Sequence, residues 1–225
     1  QSDMEGSKGQ HLDAWARRTG RSLLRFDYSG HGQSSGRFED GCIGDWAEDT
    51  AAILDACTEG PLVLVGSSMG GWQALLAARA RPERCAGLVG IAAAPDFTED
   101  GMWASFTDAQ RTEMATKGRI SVPSDFAAPQ IITQRLIEDG RSHFILRSPL
   151  ALPMPVRLLH GTADDIVPVS VATTLLDHAN APDMRLTLVK DGDHRLSTPA
   201  NLALLVATVE EVLTVVSAVP IQVDA

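Results

Sequence analysis

The sequence predicts an α/β fold, in which a mostly parallel sheet is flanked by helices. Three observations predict it: short apolar runs alternate with longer amphipathic stretches, a turn rich in glycine and serine follows one run, and one connection is far longer than the others. Alternation of this kind is typical of parallel strands joined by right-handed crossovers. A chain of 225 residues can bury a sizeable core in one domain.

The apolar runs and the helical patterns divide the chain into elements. Five runs are predicted to be strands, at residues 22–27, 61–65, 87–92, 156–160 and 185–190. Helices are predicted at residues 45–56, 69–80, 107–117, 129–139, 169–179 and 199–217. The first of these has acidic residues in its first turn, and the last begins with a Ser-Thr-Pro start signal.

One connection interrupts this alternation. Residues 96–155 lie between two predicted strands, where a connection usually takes about 4–6 residues. The segment contains aromatic residues and helical patterns of its own, which favours a helical cap over a site. We therefore expect residues 96–155 to form a cap, and residues 1–95 and 156–225 to form the core. A solvent-facing decoration is the alternative.

Composition excludes several classes of function. The net charge of −10 argues against binding of a nucleic-acid backbone, which needs clustered Lys and Arg. We expect no membrane span, because the apolar runs are shorter than the roughly 20 residues that a span needs. Cys42, Cys57 and Cys85 form no CxxC and no zinc spacing, so free thiols and no metal site are expected. No cofactor is expected either. A cytoplasmic location is predicted, or an organellar one if a targeting segment was removed.

The turn after the second predicted strand carries the strongest chemical signal. Residues 66–70 read GSSMG, the pattern of a nucleophile elbow with Ser68 at its centre. A serine hydroxyl is a weak nucleophile unless a base activates it and its backbone holds it clear of the sheet. The bend needs small neighbours, which Gly66 and Gly70 supply, and Gly71 adds clearance. We predict Ser68 to be a nucleophile; a glycine-rich turn without chemistry is the alternative.

A base and an acid follow in the chain order that this motif requires, Ser, Asp, His. His194 comes just after the last predicted strand, in a polar loop that contains glycine. An imidazole can accept the serine proton and return it to a leaving group. Asp164 lies just beyond the fourth predicted strand and would hold the imidazole tautomer. The sequence therefore predicts a triad of Ser68, Asp164 and His194.

Other acids and histidines compete for these roles. Asp96 follows the third predicted strand and is the stronger rival acid, because a carboxylate there can also reach the histidine. Asp165 follows Asp164 and Asp193 precedes His194 in the chain, and we expect both to occupy surface or hinge positions. The remaining histidines fall in turns, in helical patterns, in the cap or at a strand end, and they are His11, His31, His143, His160 and His178.

Five blocks spread over most of the chain resemble one family of serine hydrolases with the α/β-hydrolase fold. That family is described as palmitoyl-protein thioesterases and mycophenolic acid acyl-glucuronide esterases, with bacterial relatives. The blocks are FDYSGHGQSSG (26–36), GPLVLVGSSMGGW (60–72), ARPE (80–83), RLLHGTADDIVP (157–168) and DHR (193–195). The resemblance implies that Ser68, Asp164 and His194 are nucleophile, acid and base. It also implies cleavage of acyl thioesters or activated carboxyl esters through an acyl-enzyme.

The resemblance further implies an oxyanion hole made of two backbone amides. The amide of Met69 would be the first donor. In the family the second comes from a Gly-aromatic pair, and the match resumes here only at QSDM, so this donor would be Gln1 or the residue before it. The strands that precede this point in the family are missing from the sequence. We therefore expect the natural protein to begin upstream of Gln1.

The substrate is predicted to be a small-molecule or acylated-protein ester or thioester, and the oligomeric state is left open. Five large apolar residues of the cap are candidates to line an acyl pocket or, equally, to form the cap core: Trp103, Phe106, Met114, Phe126 and Phe144. Two alternative functions are considered. One is another chemistry on this fold, such as a haloperoxidase, perhydrolase or carbon–carbon hydrolase. The other is a non-catalytic ligand-binding homologue.

Overall fold

The centre of the molecule is a four-stranded parallel sheet. The computed structural model describes residues 3–123 and 129–218. The strands lie in the order β1-β2-β5-β6, with bounds β1 (Leu62–Ser67), β2 (Cys85–Ile91), β5 (Val156–Gly161) and β6 (Met184–Val189). A separate antiparallel pair is made by β3 (Arg119–Val122) and β4 (Gln130–Thr133). The predicted α/β fold is confirmed, and so are four of its five predicted strands.

Helices fill the connections between the strands. They are α1 (Ser7–Thr19), α2 (Ile43–Cys57), α3 (Met69–Ala80), α4 (Asp108–Lys117), α5 (Gln134–Ser142), α6 (Val169–His178) and α7 (Pro199–Ala218). Short 3₁₀ turns occur at Phe38–Asp40 and Pro82–Arg84, and a π-helical turn at Thr98–Trp103. The predicted helices at 45–56, 69–80, 107–117, 169–179 and 199–217 are confirmed to within two residues at each end.

Burial follows the position of each strand in the sheet. Every residue of β5 and all but one of β2 are buried, whereas β1 and β6, the outer strands, are only partly buried. This is the pattern expected of a parallel sheet with helices on both faces. One core cluster joins α1 and α7 to the sheet through residues such as Trp15, Val89 and Val209. The other joins α2, α3, the sheet and the segment 96–155.

Helix α7 is the one helix in residues 3–123 and 129–218 that is long and apolar enough to cross a membrane, by length and composition only. One face of this helix packs against the sheet. Leu205, Val209 and Val212 are buried in a core cluster with the sheet. Glu211 at its exposed side receives a hydrogen bond from Arg157 Nε at 2.7 Å, and Arg157 is itself buried. Ion pairing and packing therefore hold α7 on the sheet.

Two predicted elements are wrong. Residues 22–27 form no strand, although their apolar run predicts one. A strand is completed only by hydrogen bonds to a neighbour, and within the described residues this segment pairs with none; Leu23 and Leu24 are exposed. Residues 130–133 of the predicted helix at 129–139 are strand β4 instead, because they pair with Arg119–Val122. The insertion is thus a mixture of helices and a hairpin-like pair, not wholly helical.

The segment 96–155 is packed tightly on the rest of the chain. Phe106, Met114 and Ile120 belong to the same hydrophobic cluster as core residues such as Trp46 and Leu75. Backbone groups of the segment are also bound by side chains of α3: Trp72 Nε1 donates to the His143 carbonyl at 3.2 Å and Arg79 Nη1 to the Phe144 carbonyl at 2.8 Å. That this segment acts as a cap stays a prediction, as does the division at residues 95 and 156.

Candidate active site

Ser68 stands at the bend between β1 and α3. Its backbone has φ 56° and ψ −121°, a conformation that a residue with a side chain rarely adopts. The bend is held on both sides, since Ser68 N donates to the Ile91 carbonyl at 2.9 Å and the Ser68 carbonyl accepts from Ala94 N at 3.2 Å. Ser68 is therefore fixed at the carboxyl end of β1 and directly before the first turn of α3.

The glycines around the bend have unequal importance. A Cβ built on Gly66 would lie 2.1 Å from the Gly70 carbonyl oxygen, and one on Gly71 would lie 2.6 Å from the Ala93 Cβ. Both positions therefore exclude any side chain. A Cβ on Gly70, in contrast, would approach nothing closer than the Tyr28 hydroxyl at 4.0 Å. The prediction that position 66 must be small agrees with this geometry. At position 70 it is the carbonyl group that lies close to residue 66, and a side chain there would meet no close neighbour.

The structure brings Ser68, His194 and Asp164 together in a line. His194 Nε2 lies 3.1 Å from Ser68 Oγ, and His194 Nδ1 lies 2.8 Å from Asp164 Oδ2. The Asp164 side chain is fully buried, while that of His194 keeps 17% of its surface exposed. Chemically, this arrangement allows the imidazole to take a proton from the hydroxyl while the buried carboxylate fixes its Nδ1–H tautomer.

Asp164 is held by its own turn. Its Oδ1 accepts hydrogen bonds from Ile166 N at 2.9 Å and from Val167 N at 2.8 Å, which leaves Oδ2 for the imidazole. His160, four residues earlier in the chain, donates from Nε2 to the Val167 carbonyl at 2.8 Å and lies 3.4 Å from Asp164 Oδ2. The carboxylate is thus held by two amides of its own turn at the end of β5, and His160 is bonded to the same turn.

The His194 loop is positioned by two residues that sequence reasoning missed. Gly161 ends β5, and a Cβ on it would lie 2.1 Å from the Gly192 carbonyl oxygen, so the loop reaches Asp164 only because this position has no side chain. Lys8 Nζ donates to the Arg195 carbonyl at 2.6 Å and so ties α1 to the same loop. Burial lowers the pKa of the Lys8 ammonium. Both contacts join residues that lie far apart in the chain, so no local sequence signal predicts them.

The rival acid has a different function in the fold. Asp96 is fully buried, but its carboxylate accepts from Ile145 N at 2.7 Å, Leu146 N at 3.1 Å and Arg147 Nη1 at 2.8 Å. It therefore anchors the end of the inserted segment, and His194 is paired with Asp164 instead. Asp165 is exposed and the Asp193 carboxylate accepts from Leu196 N at 2.9 Å, which closes a turn.

Other nucleophiles and histidines are engaged elsewhere. Burial raises the pKa of the Cys42 thiol to about 12 and that of Cys85 to about 11, so neither is a ready thiolate. His31 Nδ1 lies 3.2 Å from the Ser29 carbonyl, and His178 Nε2 lies 2.8 Å from the Ser148 carbonyl. None of these groups contacts the line from Ser68 to Asp164.

An oxyanion donor is available beside Ser68. Met69 is the first residue of α3, so its amide has no acceptor within the helix and marks the positive end of the helix dipole. A negative charge that develops next to Ser68 would be stabilised there. Gln1, the predicted second donor, lies outside the described residues.

The predicted substrate-binding residues lie within the packed inserted segment. Phe106 and Met114 are buried in its cluster with the core, and Trp103 packs on Phe106 with a ring-centroid distance of 6.0 Å. The Phe144 ring is covered by Arg147, whose guanidinium carbon lies 4.0 Å from the ring centroid. Trp103 and Met114 line a cavity of about 60 Å³ whose lining includes no triad residue. Phe126 lies outside the described residues.

Comparison with known proteins places the chain in a family. Residues 10–134 match the alpha/beta hydrolase fold family. The palmitoyl-protein thioesterase ABHD10, mitochondrial, of mouse is 38% identical over 220 residues, covering 97% of this chain and 74% of the relative. The structure of alpha/beta hydrolase domain-containing protein 10 from mouse superimposes with a TM-score of 0.86, at 36% identity over 95% of this chain and 86% of that one.

A second solved structure, of an Agrobacterium vitis S4 protein, has a TM-score of 0.89 at 40% identity and covers 94% of this chain and 84% of that one. The resemblance expected from the five sequence blocks is confirmed by these matches. The chain therefore belongs to the alpha/beta hydrolase fold family, in the branch that includes the ABHD10 proteins.

Proposed function

We propose that this protein is a serine hydrolase that cleaves carboxylic esters or acyl thioesters through an acyl-enzyme. The observation that carries the proposal is the line of hydrogen bonds from Ser68 Oγ through His194 to Asp164, at 3.1 and 2.8 Å. Further support comes from the strained backbone of Ser68, which holds the hydroxyl at a strand-to-helix bend. Ser68 is the proposed nucleophile, His194 the general base and then acid, and Asp164 the residue that orients the imidazole.

The proposed reaction has two half-reactions. Ser68 Oγ attacks the acyl carbonyl carbon while its proton moves to His194 Nε2, and the imidazolium is stabilised by the Asp164 carboxylate. The tetrahedral intermediate then collapses as His194 gives this proton to the leaving alcohol or thiol, which leaves the acyl group on Ser68. In the second half-reaction a water loses a proton to His194 and attacks the acyl carbon, and the proton returns to Ser68 as the acid departs.

The Met69 amide is proposed to donate to the oxyanion of both tetrahedral intermediates. Its place at the start of α3 supports this role, because the helix dipole adds to the hydrogen bond. Thioesters and oxygen esters form the same oxyanion, so this site serves both. The choice between them depends on the leaving group and on the acyl pocket.

The substrate class and the compartment are also proposals. Relatives of this chain are named palmitoyl-protein thioesterases and mitochondrial, which supports a long-chain acyl thioester, on a protein or a small molecule, as the substrate. The cytoplasmic location expected from the cysteines has no support from these relatives, so we propose an organellar one. Fractionation of cells that express the full-length protein tests it, and recovery in the cytosolic fraction alone would exclude an organelle.

A fluorophosphonate probe tests the nucleophile. The full-length protein should be labelled on Ser68, and Ser68→Ala should be unlabelled and should lose hydrolysis of short p-nitrophenyl esters by about 10⁴-fold or more. Ser67→Ala is the matched control, since Ser67 is the neighbouring hydroxyl and belongs to no predicted triad. It should keep both labelling and turnover.

A panel of p-nitrophenyl esters and acyl-CoA thioesters of graded chain length then defines the substrate. The proposal expects turnover in at least one series, with the same dependence on Ser68. A folded full-length protein that is neither labelled nor active on any member of either series would contradict it. Peroxide-dependent halogenation without ester hydrolysis would instead favour the perhydrolase chemistry.

A further inference from the structure

His160 is a buried polar residue near the carboxyl end of β5, and apolar packing alone does not explain its burial. It belongs to β5, is 1% exposed and lies four residues before Asp164. A buried imidazole is costly unless its polar atoms are bonded. Yet only Nε2 has a hydrogen-bond partner, and Nδ1 is buried without one. An apolar side chain of similar size would avoid this cost.

The contacts of Nε2 explain what the residue can do. Nε2 lies 2.8 Å from the Val167 carbonyl, which can only accept, so the imidazole carries its proton on Nε2. The same nitrogen lies 3.4 Å from Asp164 Oδ2, the oxygen that also receives His194 Nδ1. The N–H is therefore directed at the Val167 carbonyl, on the far side of the Asp164 turn, and Asp164 Oδ2 lies beside it without a hydrogen bond.

Val167 is held from both of its backbone groups. Its amide donates to Asp164 Oδ1 at 2.8 Å, and its carbonyl accepts from His160. Rotation of the Asp164 carboxylate would break the first bond, and displacement of the turn would break the second. The side chains of Asp164 and His160 are both buried, so solvent cannot readily replace either bond.

From this geometry we infer that His160 is a positioning residue for the proposed hydrolysis: it holds the Asp164–Val167 turn so that Asp164 Oδ2 is aimed at His194 Nδ1. It does not touch the substrate and acts through Asp164. The inference rests on the proposed function, but the His194–Asp164 hydrogen bond that it explains exists whether or not the enzyme turns over a given ester.

Two substitutions separate positioning from packing. His160→Leu removes the Nε2 donor and keeps an apolar side chain, whereas His160→Gln keeps an N–H at a similar distance from the backbone. We expect His160→Leu to lower kcat for short p-nitrophenyl esters by about 10–100-fold with KM little changed. His160→Gln should keep kcat within about threefold of wild type, because its side-chain N–H can still donate to the Val167 carbonyl. Leu158→Val on the same strand is the packing control, and it should lower the melting temperature without lowering kcat.

A second readout is independent of turnover. The proton between His194 Nδ1 and the Asp164 carboxylate should give a far-downfield ¹H NMR signal in the full-length protein. That signal should be lost or shifted in His160→Leu and retained in His160→Gln and Leu158→Val. If the wild type shows the signal but hydrolyses no ester, the proposed function fails while the NMR comparison still tests His160.

Two results would overturn the inference. The first is a folded His160→Leu protein with wild-type kcat and an unchanged downfield signal. The second is equal loss of both in His160→Leu and His160→Gln, which would mean that shape and not the donor matters.

Discussion

Two regions each hold an aspartate with a fully buried side chain beyond a strand end: the triad end of the sheet, which carries Ser68, Asp164 and His194, and the inserted segment, which begins at Asp96. The two carboxylates differ in the groups that they bind. Asp164 gives one carboxylate oxygen to two amides of its own turn and offers the other to His194. Asp96 gives both oxygens to the backbone and side chain at 145–147. Burial alone therefore does not distinguish the two carboxylates; what distinguishes Asp164 is that one of its oxygens is paired with an imidazole.

The two regions also differ in what fixes their side chains. At the triad end, backbone contacts decide the residue type: Gly66 and Gly161 approach carbonyl oxygens so closely that no side chain fits. In the inserted segment, positions such as Phe106 and Met114 are fixed by packing among many apolar neighbours. Backbone contacts specify one residue, whereas packing accepts several of similar volume. Changes at the triad end should therefore affect rate, and changes in the segment should affect stability.

The largest difference is expected between the two aspartates. Asp164→Asn should lower kcat about 10⁴-fold with the fold retained, because an amide no longer fixes the Nδ1–H tautomer of His194. Asp96→Asn should lower kcat less than about tenfold but reduce the free energy of unfolding by about 1–3 kcal/mol, as the hydrogen bonds to 145–147 weaken. Ester kinetics and urea denaturation of both variants measure this, and each variant is the control for the other. Equal losses of kcat would mean that both carboxylates serve the imidazole.

A smaller effect on rate is expected from Gly161→Ala. The new Cβ would lie 2.1 Å from the Gly192 carbonyl oxygen, so the loop that carries His194 must move away from Asp164. We expect kcat to fall about 10²-fold and the free energy of unfolding to fall by about 1–3 kcal/mol. Gly101→Ala is the matched control, since its Cβ would meet only the Phe97 Cβ at 3.8 Å. Normal kcat in Gly161→Ala would show that the loop position is not set at this contact.

The hydrogen-bonded arrangement of Ser68, His194 and Asp164 was predictable because each of the three residues has a local signal. Ser68 lies in a pentapeptide between a strand and a helix, and His194 and Asp164 follow strand ends in the required order. The contacts that place them were not predictable. Gly161 and Gly192 are 31 positions apart in the chain, and Lys8 and Arg195 are 187 positions apart. A sequence pattern reflects interactions between residues that are close in the chain. The Gly161–Gly192 and Lys8–Arg195 contacts join residues that are close only in the folded structure.

The wrong elements have the same cause. Residues 22–27 have the apolar residues of a strand but no strand beside them within the described residues, and a strand exists only as part of a ladder. Residues 130–133 fit a helical pattern, yet pairing with Arg119–Val122 makes them a strand. In both cases tertiary pairing overrides local preference. For the same reason, the sequence did not decide whether the large apolar residues of the predicted cap line an acyl pocket or form the cap core. A local pattern does not identify the residues that a side chain packs against.

Met114 offers a direct test of pocket against core. It is 1% exposed and belongs to the cluster shared with the sheet, so Met114→Ala should reduce the free energy of unfolding by about 2–5 kcal/mol. The kcat/KM ratio between long-chain and short-chain p-nitrophenyl esters should stay within about twofold of wild type. Ala115→Gly, next to it and exposed, is the control and should cost at most about 1 kcal/mol. A collapse of the long-chain preference with little loss of stability would instead make Met114 part of an acyl pocket.

The smallest effect is expected at the ion pair that joins the inserted segment to α2. Arg135 donates from Nη2 to Asp45 Oδ1 at 2.8 Å and its Nη1 lies 2.8 Å from Oδ2, but both side chains are more than one-third exposed. Solvent screening therefore limits the loss in Arg135→Met to about 0.2–1 kcal/mol. Urea denaturation of the variant and of Lys117→Met, which removes an exposed pair inside α4, measures the difference.

The pH dependence of this pair has a defined sign. Burial opposes ionisation of Asp45, but hydrogen bonds from Arg135 and Cys42 outweigh it and hold the pKa of the carboxyl below its usual range. The unfolded chain then binds a proton before the folded one does, so the contribution is complete above the ordinary aspartate pKa of 3.8 and is lost as the pH falls through the lower folded value. The difference between wild type and Arg135→Met should thus be present at neutral pH and shrink in acid and in high salt. A difference that stays the same in acid would mean that Arg135 holds the segment through its backbone contact with the Asp40 carbonyl rather than through the Asp45 charge.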